Sequence, residues 1–139
     1  MNDCVFCKII REEIPSDKVY EDDNVLAFLD IKPVSSGHTL LIPKVHSENL
    51  LNISEEHLAN LMSVLPKVAK AIIEATGASG FNVGINNGAD AGQIIFHTHI
   101  HIIPRNSKDN LQLWAQHDYQ EGEATIVAKK IRETYSLQA

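Results

Sequence analysis

The sequence predicts an α+β fold, a five-stranded antiparallel sheet with one long helix packed on it and a second helix near the C-terminus. Three observations predict it. Short apolar runs bounded by Pro, Gly, Asp and Asn recur through residues 18–43 and again through residues 81–104, as strands do. Between them a single apolar stripe recurs in steps of three and four from residue 55 to residue 76, as an amphipathic helix does. Within Phe96–Pro104, three of the seven histidines stand at every second position. In extended chain His97, His99 and His101 then share one face, and Thr98, Ile100 and Ile102 the other.

The elements follow in order. Phe6 to Ile10 suits a short helical turn, ended by Ile14-Pro15-Ser16 because the residue before proline avoids helical geometry. Lys18–Glu21 and Val25–Leu29 read as a hairpin with Asp22-Asp23-Asn24 in its turn. After loop residues 31–37, His38–Pro43 is a third strand whose nearly continuous apolar run suits a central position. Ser54 is the expected N-cap of the long helix, with Glu55 and Glu56 complementing its dipole, and Gly77 is the expected stop. The stripe is Leu58, Leu61, Met62, Leu65, Val68, Ala69, Ile72 and Ile73. It keeps its phase through Pro66, which predicts one kinked helix rather than two. Phe81–Asn86 is a fourth strand, and the loop Asn87–Gly92 leads into the histidine strand. Glu123–Tyr135 has a helical pattern through Ile126, Val127, Lys130 and Ile131. An antiparallel sheet covered on one face by a helix is the layer arrangement that fits.

A chain of 139 residues with 44% hydrophobic content supports one core, so the reading is a single domain over 1–139, with its core in 4–105 and a C-terminal extension in 106–139. The net charge of −6 offers no basic face for sequence-independent binding of nucleic acid. No apolar run approaches a membrane span and no secretory pattern opens the chain, so no membrane partner and a cytoplasmic location are expected. The two cysteines, Cys4 and Cys7, cannot build a disulfide framework and lack the strand-to-helix setting of a thioredoxin-like pair. Two readings stay open on spacing alone: half a zinc site completed by histidines, or two buried small side chains.

Three alternating imidazoles fit neither the β-branched packing nor the solubility that a solvent face selects. They point to a nucleophile, a general acid or base, or metal ligands. The outer two lie roughly 13 Å apart along an extended backbone and can serve different partners. The loop before them, with Gly88 and Gly92, brings backbone N–H groups near the same face, a concavity that favours anions.

The chain resembles the histidine triad (HIT) family, whose signature is His-x-His-x-His followed by two apolar positions, here His97 to Ile103. Its other landmarks occur in order: Phe6-Cys7-Lys8-Ile9-Ile10 with Ile14-Pro15, Ala27–Ile31 with Pro33, Gly37–Lys44 with His46, and Asn86-Asn87-Gly88 through Gly92-Gln93. The resemblance covers roughly Cys4 to Arg105 and is closer to the Hint-like nucleoside phosphoramidases than to dinucleoside polyphosphate hydrolases.

The resemblance implies a HIT-like fold and hydrolysis or transfer at the α-phosphate of an adenosine or other purine nucleotide. His99 would be the covalent nucleophile and His101 its catalytic partner at the phosphate. It implies Asp30 on the ribose hydroxyls, Ile31 lining the base pocket, and Asn86, the amides of Gly92, Gln93 and Ile94, and His101 holding phosphate. Many relatives carry Ser or Thr at the position of Ile94, so here only its backbone N–H meets the phosphate. By the same resemblance, which extends to galactose-1-phosphate uridylyltransferases, Cys4, Cys7, His46 and His97 would hold a zinc ion. Four such ligands leave no position for substrate, so that zinc would be structural. A homodimer through the long helix and an edge strand is also implied. The leading expectation is a nucleoside 5′-phosphoramidate hydrolase. The alternatives are a dinucleoside polyphosphate hydrolase, a non-catalytic nucleotide sensor, and a metal-dependent hydrolase ligated by the triad itself. A nucleophilic imidazole needs an acceptor on its second nitrogen, expected to be a backbone carbonyl near His38.

Overall fold

The computed structural model describes residues 3–138. The chain divides into two compact units, one up to Asp109 and one from Asn110. In the first, α1 (Val5–Ile10) precedes the hairpin β1 (Lys18–Glu21) and β2 (Val25–Leu29), then β3 (Thr39–Pro43), α2 (Glu55–Thr76), β4 (Gly80–Gly84) and β5 (Ile100–Arg105). The five strands form one antiparallel sheet in the order β1-β2-β3-β5-β4. This is the expected α+β architecture, with β3 at its centre.

Local chemistry explains the joints. Asp22 Oδ1 accepts from the N–H groups of Asn24 and Val25 at 2.8 and 2.7 Å, closing the hairpin turn. Ser54 accepts from the His57 N–H at 3.3 Å as the N-cap of α2, and Gly77 ends the helix at φ 68°. Pro66 sits inside one uninterrupted helix. Gly37, at φ 95°, turns the chain into β3 against the end of α2, where a Cβ would come within 2.7 Å of Thr76 Cγ2.

Both faces of the sheet are packed. On one, Leu61, Val64, Leu65, Val68, Ala69 and Ile72 of α2 meet Val25, Ala27, Leu41, Ile100 and Ile102. On the other, Phe6 and Ile9 of α1 meet Leu26, Phe28, Leu40 and Ile42. The sequence reading had one covered face. The second was legible in the unbroken apolar runs of β2 and β3, which bury both alternations. In α2 the expected stripe shifts: Met62 is 49% exposed, while Val64 is buried.

Helix α1 ends at Ile10 as expected, but the left-handed turn at Glu12, at φ 62°, ends it ahead of Pro15. One element differs from expectation. The last strand begins at Ile100, so His97 and His99 lie in the approach to it rather than inside it. Pairing with β3 begins only at Leu41↔Ile100, and the N–H of Thr98 is already committed to the Ser47 carbonyl at 2.7 Å.

The second unit holds α3 (Glu123–Ser136), opened by Gly122 at φ 77°. None of its residues is buried, and Ile126, Ile131 and Tyr135 are exposed.

Candidate nucleotide-phosphate site and metal cluster

Cys4 caps α1 and Cys7 lies in its first turn, His46 follows β3, and His97 precedes β5. Thr98 holds the last two segments together, its hydroxyl 2.8 Å from that of Ser47. The His97 Nε2–H donates to the Pro43 carbonyl at 2.8 Å, which leaves the Nδ1 lone pair facing the cluster.

Around that lone pair the Sγ of Cys4 and of Cys7 each lie at 3.6 Å and the Nδ1 of His46 at 3.3 Å, with Cys7 Sγ 3.5 Å from His46 Nδ1. A tetrahedral ion bound to two sulfurs at ~2.3 Å and two nitrogens at ~2.0–2.1 Å spaces its ligands about 3.6 Å for S–N edges and about 3.3 Å for the N–N edge. The donor set therefore has the edge lengths and softness of a tetrahedral thiolate-imidazole metal site. Burial keeps His97 and Cys7 neutral. Burial drives the His97 pKa down to about 4, and burial also pushes the Cys7 thiol up, with Cys4 adding to the rise.

His99 and His101 border a pocket of about 550 Å³ on the α1 side of the sheet. Phe6 stands edge-on to both His97 and His99, with ring centroids 5.9 and 5.2 Å apart, and so separates the cluster from the pocket. At His99 the Nδ1–H donates to the His97 carbonyl at 2.6 Å. The expected acceptor near His38 is thus replaced by the carbonyl two residues back, which is reachable because the chain is not yet in the sheet. His99 Nε2 is then the unprotonated nitrogen, and burial, the largest cause, lowers the ring's pKa and keeps it neutral.

A second proton order runs through His38, a residue not singled out from sequence. The Val34 N–H donates to His38 Nδ1 at 3.0 Å, so the proton of His38 sits on Nε2 and is donated to His101 Nδ1 at 2.9 Å. The proton of His101 is therefore on Nε2, which is buried and has no partner among the described residues. Burial first, then His99 and His38, lowers the His101 pKa to about 4. Asp30, His38 and His101 also lie close enough together to suggest a metal group. The Val34 N–H argues against it, since it occupies the lone pair of one His38 nitrogen and fixes a proton on the other. The sequence signal for His38 was a histidine opening an otherwise apolar central strand.

The remaining predicted residues fall as follows. Asp30 borders the pocket; its Oδ1 accepts from the Lys32 N–H at 2.8 Å and its Oδ2 lies 3.7 Å from His38 Nε2. Ile31 and Ile94 stand at its rim, 91% and 84% exposed. Asn86 borders it too and donates from Nδ2 to the Gly92 carbonyl at 3.4 Å. Around the short 3₁₀ turn Ala89–Ala91, the N–H groups of Gly92 and Gln93 donate to the carbonyls of Ala89 and Gly88. The Ile94 N–H has no backbone or side-chain partner among the described residues. Gln93 is not in the pocket wall. Its buried amide braces the loop, accepting from the Gly88 N–H at 2.8 Å and donating to the Glu48 carbonyl at 2.6 Å.

Comparison with known proteins gives one consistent result. The HIT domain family model matches residues 11–108. An Arabidopsis thaliana protein named adenylylsulfatase HINT3 is 54% identical over 114 residues, covering 82% of this chain and 57% of its own length. A crystal structure of a Streptococcus mutans protein superposes with TM-score 0.92 at 45% identity, covering 97% of this chain and 87% of that one. A zinc-bound histidine triad family protein from Mycobacterium smegmatis superposes with TM-score 0.76 at 36% identity over 97% and 98% of the two chains.

Proposed function

The chain belongs to the HIT domain family, and on that premise we propose that it is a nucleotide hydrolase acting at the α-phosphate of purine nucleotides, foremost a nucleoside 5′-phosphoramidate hydrolase. The observation that carries the reading is the proton order of two adjacent imidazoles. His99 has Nε2 free of its proton because the His97 carbonyl takes the hydrogen on Nδ1. His101, whose ring centroid is 4.9 Å away, has its proton on a buried, unpartnered Nε2. One ring is ready to attack and its neighbour is ready to donate.

In the proposed reaction His99 Nε2 forms a bond to phosphorus as the bond from phosphorus to the leaving nitrogen breaks, and the departing nitrogen takes its proton from solvent water to leave as the amine. Water then cleaves the nucleotidyl-histidine, returning the nucleoside monophosphate and His99. His101 Nε2–H and the Ile94 N–H would donate to the phosphoryl oxygens as their charge grows. Asp30 and Asn86 would position ribose and phosphate, and Ile31 and Ile94 would border the mouth. The same attack with sulfate leaving is a second reading, favoured by the name of the Arabidopsis relative.

We assign Cys4, Cys7, His46 and His97 to one zinc ion, supported by their edge lengths and by the zinc-bound relative. Such an ion would fix the ends of three segments, and with four protein ligands it would leave no position for substrate. We further propose a homodimer, supported by the unpaired edge of β4, where Phe81 and Val83 are 45% and 44% exposed, and by the half-exposed Met62 of α2. Sedimentation equilibrium that finds only 15.4 kDa species at micromolar concentration would remove the dimer. Among the described residues no helix is long and apolar enough to cross a membrane.

The reading is tested by His99→Ala with an adenosine phosphoramidate. Turnover should fall by at least on the order of 10⁴-fold, as for removal of a nucleophile, while metal content and nucleotide binding persist. Rapid acid-free quench of the native protein should trap nucleotide on His99. Retained turnover in His99→Ala, or activity that chelation removes without unfolding, would move the chemistry to a metal.

A further inference from the structure

Two buried hydroxyl residues, Ser47 and Thr98, line no part of the pocket and supply no metal donor. Each nevertheless follows directly on a histidine of the metal cluster, Ser47 on His46 and Thr98 on His97. Those two histidines stand outside regular structure, since β3 ends at Pro43 and β5 begins at Ile100. The ladder between these strands reaches only to Leu41↔Ile100, so strand pairing does not set the distance between the two rings.

Three hydrogen bonds set it instead. The N–H and the hydroxyl of Thr98 both donate to the Ser47 carbonyl, at 2.7 and 3.2 Å. With the Thr98 hydroxyl hydrogen used there, the 2.8 Å contact between the two hydroxyls is donated by Ser47 to Thr98 Oγ1. Each hydrogen of the pair is used, in a buried setting where a lost partner is costly.

Both functions of His97 hang on this clasp. Its Nδ1 lies 3.3 Å from that of His46, the N–N edge of a tetrahedral site, and the two segments that carry these rings are the two that the clasp joins. Its carbonyl shares a planar trans peptide with the Thr98 N–H, so the two groups point in opposite directions. Anchoring the N–H on Ser47 therefore aims the carbonyl the other way, where it accepts from His99 Nδ1 at 2.6 Å.

We propose that Ser47 and Thr98 are positioning residues that act through His97, their hydroxyl clasp setting its ring for the metal and its carbonyl for His99. The inference rests on the metal and nucleotide readings above and adds what fixes the histidine they share. Without the clasp the two segments relax apart in the metal-free chain, and zinc must first draw them together, which weakens its binding.

The test is competition for zinc between the full-length protein and a chromogenic chelator, for native protein, Thr98→Val, Ser47→Ala and Thr98→Ser. Valine keeps the shape of threonine without its hydroxyl, and serine keeps the hydroxyl. Ser47→Ala adds no atoms and decides the test if Thr98→Val fails to fold. Thr98→Val and Ser47→Ala should each bind zinc roughly tenfold more weakly, at the lower end of the range for outer-shell partners of metal ligands, and Thr98→Ser should bind it as the native protein does. Turnover of an adenosine phosphoramidate by the zinc-loaded proteins should show kcat roughly tenfold lower at nearly unchanged KM in the first two, because His99 shifts against phosphorus while the pocket wall stays as it was. A clasp that only stabilises the fold would lower the melting temperature and leave zinc affinity and kcat at native values, which would overturn the proposal. Thr98→Ser as impaired as Thr98→Val would overturn it too, since packing of the methyl group would then be at work. Weaker zinc binding with native kcat would overturn the part given to the carbonyl. If native protein takes up no zinc, the metal reading fails together with the part given to the ring. If it takes up zinc but does not turn over the phosphoramidate, the nucleotide reading fails and zinc affinity still decides the clasp.

Discussion

Two imidazole clusters stand four residues apart on the same stretch of chain, and they do opposite things with the same side chain. His97 and His101 are both pushed to a pKa of about 4, in each case chiefly by burial. Burial and titration therefore do not distinguish them. What does is the partner of the second ring nitrogen. The Pro43 carbonyl takes the Nε2 hydrogen of His97 and turns a lone pair toward two cysteine sulfurs and the Nδ1 of His46. The Val34 N–H takes the Nδ1 lone pair of His38, so His38 donates to His101, whose own hydrogen is left on a buried, unpartnered Nε2. The first cluster converges two sulfurs and two ring nitrogens and calls for a cation. The second aligns protons and calls for an anion. His97 joins them, because its ring belongs to the first and its carbonyl holds His99 for the second.

The largest expected effect comes from breaking the first cluster. A Cys4→Ser, Cys7→Ser double variant should lose its metal and roughly 3 kcal/mol or more of folding stability, since structural metal binding contributes folding free energy. Metal analysis and urea unfolding check it. A double variant that keeps both metal and stability would leave the cluster as two buried thiols near two histidines.

Breaking the second cluster should leave metal and fold nearly alone. In His38→Phe the ring volume remains but the hydrogen donated to His101 is gone, so His101 can take the other tautomer and present a lone pair to the phosphate. Turnover should fall on the order of 10²-fold, within the range for losing one donor to developing charge, with the metal content of the native protein. A variant that lost metal as well would show the two clusters to be one.

Much of this was legible in the sequence, and the limits have physical causes. Alternation exposed the three histidines, and the turn and cap residues located the hairpin, the long helix and the order of strands. The start of β5 was missed because alternation also persists in extended chain outside a sheet, and only pairing with β3 separates the two. His38 was passed over as a site residue since its role depends on Val34 and His101, 4 residues and 63 residues away in sequence.

Acid should separate the pocket cluster from the rest of the protein by a smaller amount. The His101 pKa is about 4 when folded against a usual 6.5, so the unfolded chain binds this proton more readily. Its contribution to stability is then fully present above pH 6.5 and is lost as pH falls toward 4, at up to ~1.4 kcal/mol per pH unit for one group. His38 and His99 are lowered too, and act in the same direction. Urea unfolding of native protein and His101→Asn between pH 7.5 and 4.5 should show a shallower slope in the variant. Parallel slopes would mean that His101 titrates normally.

The smallest effect is expected where the pocket relies on backbone rather than side chain. Ile94 offers the phosphate a free N–H while its side chain is 84% exposed at the rim. Ile94→Ser therefore adds one hydroxyl without disturbing any packed surface, and stability should move by less than ~0.5 kcal/mol. A hydroxyl that joins the amide on the phosphate contributes about one neutral hydrogen bond, partly offset by competition with water, so KM should fall roughly threefold at unchanged kcat. The imidazole clusters depend on which nitrogen holds each hydrogen and break when a ring is changed. The loop depends on a backbone donor that every residue except proline supplies, which is why isoleucine is tolerated there. A drop in kcat for Ile94→Ser above tenfold would contradict this, because it would make the exposed side chain part of the reacting geometry instead of its rim.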